Sequence, residues 1–292
     1  MNNDQQLKTL VQEKYSAIAQ QSKAHNAASC CGATGCGDVY NIMADTYESV
    51  DGYIPDADLG LGCGVPTAFA QIKTGNTVID LGSGAGNDAF VARKLVGDTG
   101  KVIGIDFTEA MIAKARQNAD ALGYNNVEFR LGDIEAMPVA ANTAHVIISN
   151  CVLNLIPNKA NVFKEMYRVL KPGGHCSISD IVLQGHLPQG LQQAAEMYAG
   201  CVAGAIEQQQ YLHLMEQAGF QQVTIQRSKP IVIPENILAD YLSTDEIATY
   251  QQQPTPIVSI TVYAAKPNLL ADDTLVPIVN QATACTPGGG CC

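Results

Sequence analysis

Basic residues are scarce in this chain: 17 lysines and arginines stand against 28 aspartates and glutamates, for a formal net charge of -11 and a pI of about 4.8. That balance argues against nucleic acid or an anionic membrane surface as a partner, because both are polyanions. No apolar run reaches the roughly 18 residues that a membrane-spanning helix needs. The opening stretch, MNNDQQLKTLVQEKYSAIAQ, lacks a basic segment followed by an apolar one, so no secretory signal is expected and a cytoplasmic location is. There is no internal repeat. His25, His145, His175, His186 and His213 do not cluster as metal ligands do, and no Ser-His-Asp order suggests hydrolysis.

Core and sulfur are plentiful by contrast. With 292 residues, 47% of them hydrophobic, the chain can bury a sizeable core as one large domain with appendages, or as two domains. Ten cysteines are the compositional outlier. In a reducing compartment a disulfide scaffold is the weaker reading. So many thiols suggest metal or metalloid binding, or redox chemistry, although any one cysteine taken alone is more often a small buried hydrophobe.

Hydrophobic spacing predicts a helix over residues 7–21, then the Gly- and Cys-rich ASCCGATGCGD, then a mostly irregular stretch over 39–70. From Thr77 the pattern alternates. TVIDL, KVIGID, VEFRLGD, AHVIISN and HCSISDIVL read as strands. GNDAFVARKLV, EAMIAKARQNADALG and KANVFKEMYRVL read as helices, the second ended by Gly123 and the third by Lys171-Pro172-Gly173-Gly174. This alternation implies βαβ crossovers and a mostly parallel sheet. Helical stretches follow near 190–203 and 206–218. The strands VTIQRS and IVSITVYAA, separated by a Pro- and Gln-rich segment over 230–255, complete the sheet. The expected organisation is an N-terminal helix and loop cap over 1–70, a catalytic α/β domain over 71–266 with acceptor-site insertions at about 184–218 and 230–255, and a flexible cysteine-containing tail over 267–292.

VIDLGSGAGNDAF sets Gly82, Gly84 and Gly86 between a strand and a helix. The spacing is G-x-G-x-G, where a dinucleotide fingerprint would be G-x-G-x-x-G. Asp80, ahead of the loop, would repel a pyrophosphate but suits a cationic amino-acid group. Asp106 ends the next strand, placed to accept hydrogen bonds from two ribose hydroxyls. Asp133 ends the third and could meet an adenine amino group, with Ile134 packing on the ring. Three acids at successive strand ends, with no basic residue seen among them, point to a positively charged nucleoside such as S-adenosylmethionine. VIDLGSGAG, GIDFTEAM, LGDIEAMP and RVLKPGG, in that order, resemble the class I S-adenosylmethionine-dependent methyltransferases. The resemblance implies a Rossmann-like fold with a seven-stranded, mostly parallel sheet. It also implies a cofactor site of Asp80, Gly82, Ser83, Gly84, Gly86, Asp106, Phe107, Met111, Gly132, Asp133, Ile134 and Asn150.

Cys151 follows Asn150 at the end of the fourth strand, where ligands meet parallel sheets. Cys63 in GLGCGVP and Cys201 in YAGCVAGA are flanked by small residues that leave space around the sulfur. Soft thiolates select soft ions, and trivalent arsenic takes three sulfur ligands while keeping a nucleophilic lone pair. A zinc site would want a fourth ligand or a water, and no Cys-x-x-Cys pair lies near these positions. DLGLGCGVP, DLGSGAGND, VIISNCVLNLIPNK and GCVAGA together resemble the arsenite methyltransferase family, over about residues 8–266. The resemblance implies that Cys63, Cys151 and Cys201 bind As(III). It adds a further N-terminal cysteine, Cys30 or Cys31, with Cys31 taken as the candidate. It implies methyl transfer from S-adenosylmethionine in arsenic detoxification, no metal cofactor, and thioredoxin or glutathione as reductant. Eukaryotic members of the family carry a tyrosine where this chain has Leu61 and a glutamate where it has Gly200, changes that bear on which arsenicals are accepted or how far methylation proceeds. Cys176 is expected in the core, Cys36 and Cys285 as spare thiols, and Cys291 and Cys292 as scavengers of arsenite. A monomer is expected. The alternatives are a methyltransferase of a small quinone-type acceptor and a thiol-based arsenic-binding protein without turnover.

Overall fold

The computed structural model describes residues 3–21, 47–193, 204–233, 235–252 and 255–268. Its chain order is α1 (Asn3–Ala19), β1 (Thr77–Leu81), α2 (Asn87–Val96), β2 (Lys101–Asp106), α3 (Glu109–Leu122), β3 (Val127–Leu131), β4 (Ala144–Asn150), α4 (Lys159–Val169), β5 (Leu170–Leu183), α5 (Gln189–Gln193), α6 (Gln208–Gln217), β6 (Gln221–Ile231), α7 (Glu235–Leu238), α8 (Thr244–Gln252) and β7 (Ile257–Ala265). The strands form one seven-stranded sheet in the order β3-β2-β1-β4-β5-β7-β6. β1 to β5 run parallel, and β7 runs antiparallel to both β5 and β6. The Rossmann-like, mostly parallel fold expected from the sequence is the fold observed. Among the described residues no helix is long and apolar enough to cross a membrane.

The strands are apolar on both faces because helices cover both. Val78, Val102, Val146 and Ile148 pack with Phe90, Val96, Ile112 and Ala115 of α2 and α3. The alternate residues Ile79, Leu81, Ile103, Ile105 and Ile147 pack on the opposite face with Phe163 and Met166 of α4 and Tyr211 of α6. Helix α4 presents Val162, Phe163, Met166 and Val169 as one buried stripe, and Asn158 caps its start by accepting from the Asn161 N–H at 3.2 Å. Phe163 meets Tyr211 edge to face at 5.4 Å. Gly123 ends α3 in the left-handed region at φ 66°, as expected.

The sheet order fixes where a site can form. From β1 the chain steps outward to β2 and β3, then crosses back to lay β4 on the other side of β1. The carboxyl ends of β1 and β4 therefore flank a topological switch point, with Leu81 paired to Ser149.

Three expectations are adjusted. Helix α4 ends at Val169, and Lys171 to Gly174 belong to the start of β5 rather than to a separate stop, because Leu170 is already extended. The first strand after the 206–218 helical stretch runs over Gln221–Ile231, longer than VTIQRS. The Pro- and Gln-rich segment holds α7 and α8. Around these helices Leu238, Leu242 and Ile247 are buried. Of the helix expected at 190–203, Gln189–Gln193 is helical and 194–203 lies outside the described residues.

Candidate active site

A cleft of about 930 Å³, counted out to its open mouth, lies over the switch point. Its floor is the loop from β1 into α2, and Asp80, Gly82, Ser83, Gly84, Asp106, Phe107, Asp133, Ile134, Asn150 and Cys151 all line it. Gly84 has φ 50°, and a Cβ on it would meet only the Met111 Sδ at 4.0 Å, so the space above it is open. Three expected cofactor residues are not on the cleft wall. Met111 is fully buried beneath the glycine loop, Gly86 packs on Phe90 and Phe129 where it turns the chain into α2, and Gly132 packs on the Pro138 ring.

Three carboxylates stand within this buried wall. Asp106 accepts from the Gly84 N–H at 3.0 Å and the Thr108 N–H at 2.8 Å, one bond per oxygen, which leaves each oxygen a further lone pair. Burial raises its pKa, and those N–H groups oppose the rise. Burial, then the Asp88 and Asp106 charges, push Asp80 well above the usual carboxylate range. Asp88, in the first turn of α2, is lifted to about 6 by burial against the hydrogen bonds of Asn150 and Tyr47. The Asp80 Oδ2, Ser83 Oγ and Asn87 Oδ1 are buried without a hydrogen-bond partner. Orphaned acceptors and crowded acids fit a ligand that brings cationic charge and hydrogen-bond donors. S-adenosylmethionine, with its ammonium, sulfonium and ribose hydroxyls, meets that description.

Beside Asp133 stands a cation that the sequence did not mark as part of the site. Lys8 of α1 pairs with Asp133 at 2.6 Å and with Glu135, while the Asp133 Oδ1 accepts from the Glu135 N–H at 2.9 Å. Gln12 donates to the Phe107 carbonyl at 2.9 Å, and Tyr15 lines the cleft. Helix α1 is thus laid along the cleft's edge.

At the opposite end the structure brings Cys63 and Cys151 together. They are 88 residues apart in sequence and are joined as a disulfide, with Cα atoms 5.7 Å apart. Each backbone is tied to the sheet. The Cys63 N–H donates to the Asn150 Oδ1 at 3.0 Å, and the Cys63 carbonyl accepts from the Ser259 hydroxyl at 2.7 Å. The Cys151 N–H donates to the Ser179 carbonyl at 2.8 Å. Cys151 has φ 57°, a conformation uncommon for a residue with a Cβ and frequent at functional sites. Both sulfur-bearing residues lie in an apolar cluster with Leu155, Leu187, Leu191, Ile233 and Leu238. Cys30, Cys31, Cys36, Cys201, Cys285, Cys291 and Cys292 lie outside the described residues. Cys176 is fully buried in β5, as expected, and burial pushes its thiol up to about 12, so it stays protonated.

Asp88, Tyr47 and Asp58 were not singled out from the sequence. Asp88 had a signal, a fourth acid two residues past the last loop glycine. Tyr47 and Asp58 sit in irregular chain with no periodicity to mark them. His145 accepts from the Thr77 N–H at 2.8 Å at the strand start, a boundary position as expected.

A family model described as a methyltransferase domain matches residues 72–219. The arsenite methyltransferase of Halobacterium salinarum is 40% identical over 277 residues, covering 90% of this chain and 67% of that protein. The arsenite methyltransferase of Aquipseudomonas alcaligenes is 33% identical over 251 residues, covering 82% of this chain and 70% of that protein. The crystal structure of an arsenic(III) S-adenosylmethionine methyltransferase from Chlamydomonas reinhardtii superposes with a TM-score of 0.60 at 34% identity, covering 77% of this chain and 72% of that one. With the methyltransferase fold, the acid-walled cleft and the paired cysteines described above, these matches show that the chain belongs to the arsenite methyltransferase family.

Proposed function

We infer that this protein is an S-adenosylmethionine-dependent arsenite methyltransferase, acting in arsenic detoxification. The observation that carries the reading is the convergence of Cys63 onto Cys151, a residue that lines the same cleft as Asp80, Asp88 and Asp106. Asp106 holds the ribose hydroxyls, Asp80 the ammonium, and Asp133 with Ile134 the adenine. Gly82, Ser83 and Gly84 line the path between them, with Phe107 at its edge. Gly86, Met111 and Gly132 act from behind, by fixing the loops. When bound, S-adenosylmethionine supplies an electrophilic methyl group on a sulfonium, complementary to the lone pair of thiolate-bound As(III).

The chain's own contribution is to bind and to aim. Cys63, Cys151 and Cys201 displace hydroxide or thiol ligands from As(III) and hold it, with Cys31 as the N-terminal partner. The apolar cluster excludes water around the sulfurs. No strong general base is needed, since the thiolates leave the arsenic lone pair exposed, and rate comes from positioning. The Cys63–Cys151 disulfide must first take up two electrons and two protons, a step that thioredoxin or glutathione would serve. The described parts of segments 184–218 and 230–255 frame the acceptor side and α1 borders the cleft, while the expected tail beyond residue 268 lies outside the described residues. The chain acts as a monomer.

The test is arsenite-dependent formation of S-adenosylhomocysteine by the reduced protein, with mass spectrometry of the arsenic species. Methylated arsenic formed in step with S-adenosylhomocysteine supports the reading. Binding of both substrates without turnover would leave a thiol-based binding protein in its place.

A further inference from the structure

We propose that Asp88 is a positioning residue that sets the placement of the Cys63 and Cys151 sulfurs, acting through the side-chain amide of Asn150. Asn150 joins the two cysteines in two ways. Its backbone leads directly into Cys151, and its Oδ1 accepts from the N–H groups of Cys63 at 3.0 Å and Gly64 at 3.3 Å. Its Nδ2 lies 3.0 Å from the Asp88 Oδ2, 2.6 Å from the Tyr47 hydroxyl and 2.8 Å from the Gly64 carbonyl.

A primary amide is nearly symmetric in shape, so packing alone does not decide which end meets Cys63. Asp88 decides it. An ionised carboxylate only accepts, so the amide must turn its N–H groups toward Asp88 and its oxygen toward Cys63. Turned over, oxygen would face carboxylate and N–H would face N–H. The Tyr47 hydroxyl, 2.8 Å from the Asp88 Oδ1, holds the carboxylate in place. Burial, with the Asp58 charge adding to it, lifts Asp88 to about 6, and the Asn150 and Tyr47 hydrogen bonds oppose the rise, so the ionised form prevails at neutral pH. The contact is close-fitting. A Cβ on Gly62 would fall 2.6 Å from the Asn150 Nδ2, and one on Gly64 would fall 2.5 Å from the Ser179 hydroxyl. The cysteine between these glycines is pressed onto the amide, so its position follows the amide's.

The significance of this placement for arsenic rests on the proposed function, but its test does not. The full-length protein is reduced, the reductant is removed, and diamide is added. Diamide takes two electrons and two protons from a thiol pair as the sulfurs bond, and is itself reduced to a hydrazine. The Cys63–Cys151 linked peptide is followed by mass spectrometry, with S-adenosylmethionine affinity measured by calorimetry. Asp88→Asn and Asn150→Asp should each slow the cross-link by about tenfold or more, since small misplacements of reacting atoms are costly. The double variant should recover only part of the loss, since an oxygen at 150 would replace the nitrogen that now donates to the Gly64 carbonyl at 2.8 Å. There the amide at 88 donates to a carboxylate at 150, whose oxygens still accept from Cys63 and Gly64. Tyr47→Phe, the mildest change, should slow the cross-link by a smaller factor. Native cross-linking rates in the single variants would overturn the proposal. So would single variants that lose only cofactor affinity, which would make Asp88 a cofactor ligand. If the native protein does not methylate arsenite but these rates hold, the functional reading fails and the positioning role stands.

Discussion

The two ends of the cleft are built on different plans. The cofactor end is local: Asp80, the glycine loop and Asp106 lie on adjacent parallel strands and the turn between them, and Asp106 is held by backbone N–H groups of its own neighbourhood. The thiol end is assembled from distant chain. Cys63 hangs from β4 through Asn150 and from β7 through Ser259, and Cys151 hangs from β5 through Ser179. The contrast extends to charge. One end gathers buried carboxylates, and the other places its sulfurs in an apolar cluster with leucines and isoleucines. A change at Asp106 should act on cofactor affinity and leave the thiols alone. A change at the thiol end should do the reverse.

Asp106→Ala is expected to give the largest effect at the cofactor end. Hydrogen bonds to a charged group contribute about 1.5–3 kcal/mol each, so losing the pair to the ribose should weaken S-adenosylmethionine at least about a hundredfold. Calorimetry measures the loss, and diamide cross-linking of Cys63 and Cys151 should be unchanged. Equal loss of both would mean the two ends are not separable.

A smaller effect follows from the buried acids. Asp88 stands at about 6 in the folded protein against an ordinary 3.8, so between those values the native state holds a proton that the unfolded chain has released. Its contribution to stability is fully present below the unfolded value and is lost as pH rises through about 6. From pH 5 to 7 the native protein should lose about 1 kcal/mol relative to Asp88→Asn, measured by urea denaturation without cofactor. A gap that stays constant with pH would mean the carboxyl is not raised.

Lys8→Met should have the smallest effect. A partly exposed ion pair contributes up to about 1 kcal/mol, and α1 stays attached through Gln12 and the buried Val11. Cofactor dissociation in stopped flow should quicken only a few-fold, by roughly that energy. Slower dissociation would mean that Lys8 competes with adenine for Asp133.

What was legible in the sequence follows the same division. IVSITVYAA coincides with β7, and the glycine loop and the acids at strand ends were readable because strand period and loop spacing are local signals. That Cys63 and Cys151 converge was implied by the family resemblance, while the contacts that hold Cys63 there, from Asn150 and Ser259, lie far away in sequence. Lys8 was invisible as a site residue because a lysine on an amphipathic helix usually faces solvent. Asp88, Tyr47 and Asn150 form a network whose members are more than 60 residues from one another in two of its three pairs, with separations of 62, 103 and 41. No periodicity encodes such a network. Helices α7 and α8 were missed because Gln, Thr and Pro dilute their apolar stripe.

The central claim is that the Cys151 thiolate holds arsenic for methylation. The direct measurement is arsenic speciation after turnover by Cys151→Ser, beside Cys176→Ser and with S-adenosylmethionine affinity measured for both. Serine nearly keeps the volume but replaces a soft ligand with a hard one. The account expects Cys151→Ser to bind cofactor normally and yield no methylated arsenic from arsenite, while Cys176→Ser remains active. Full activity in Cys151→Ser, or a loss confined to Cys176→Ser, would contradict it.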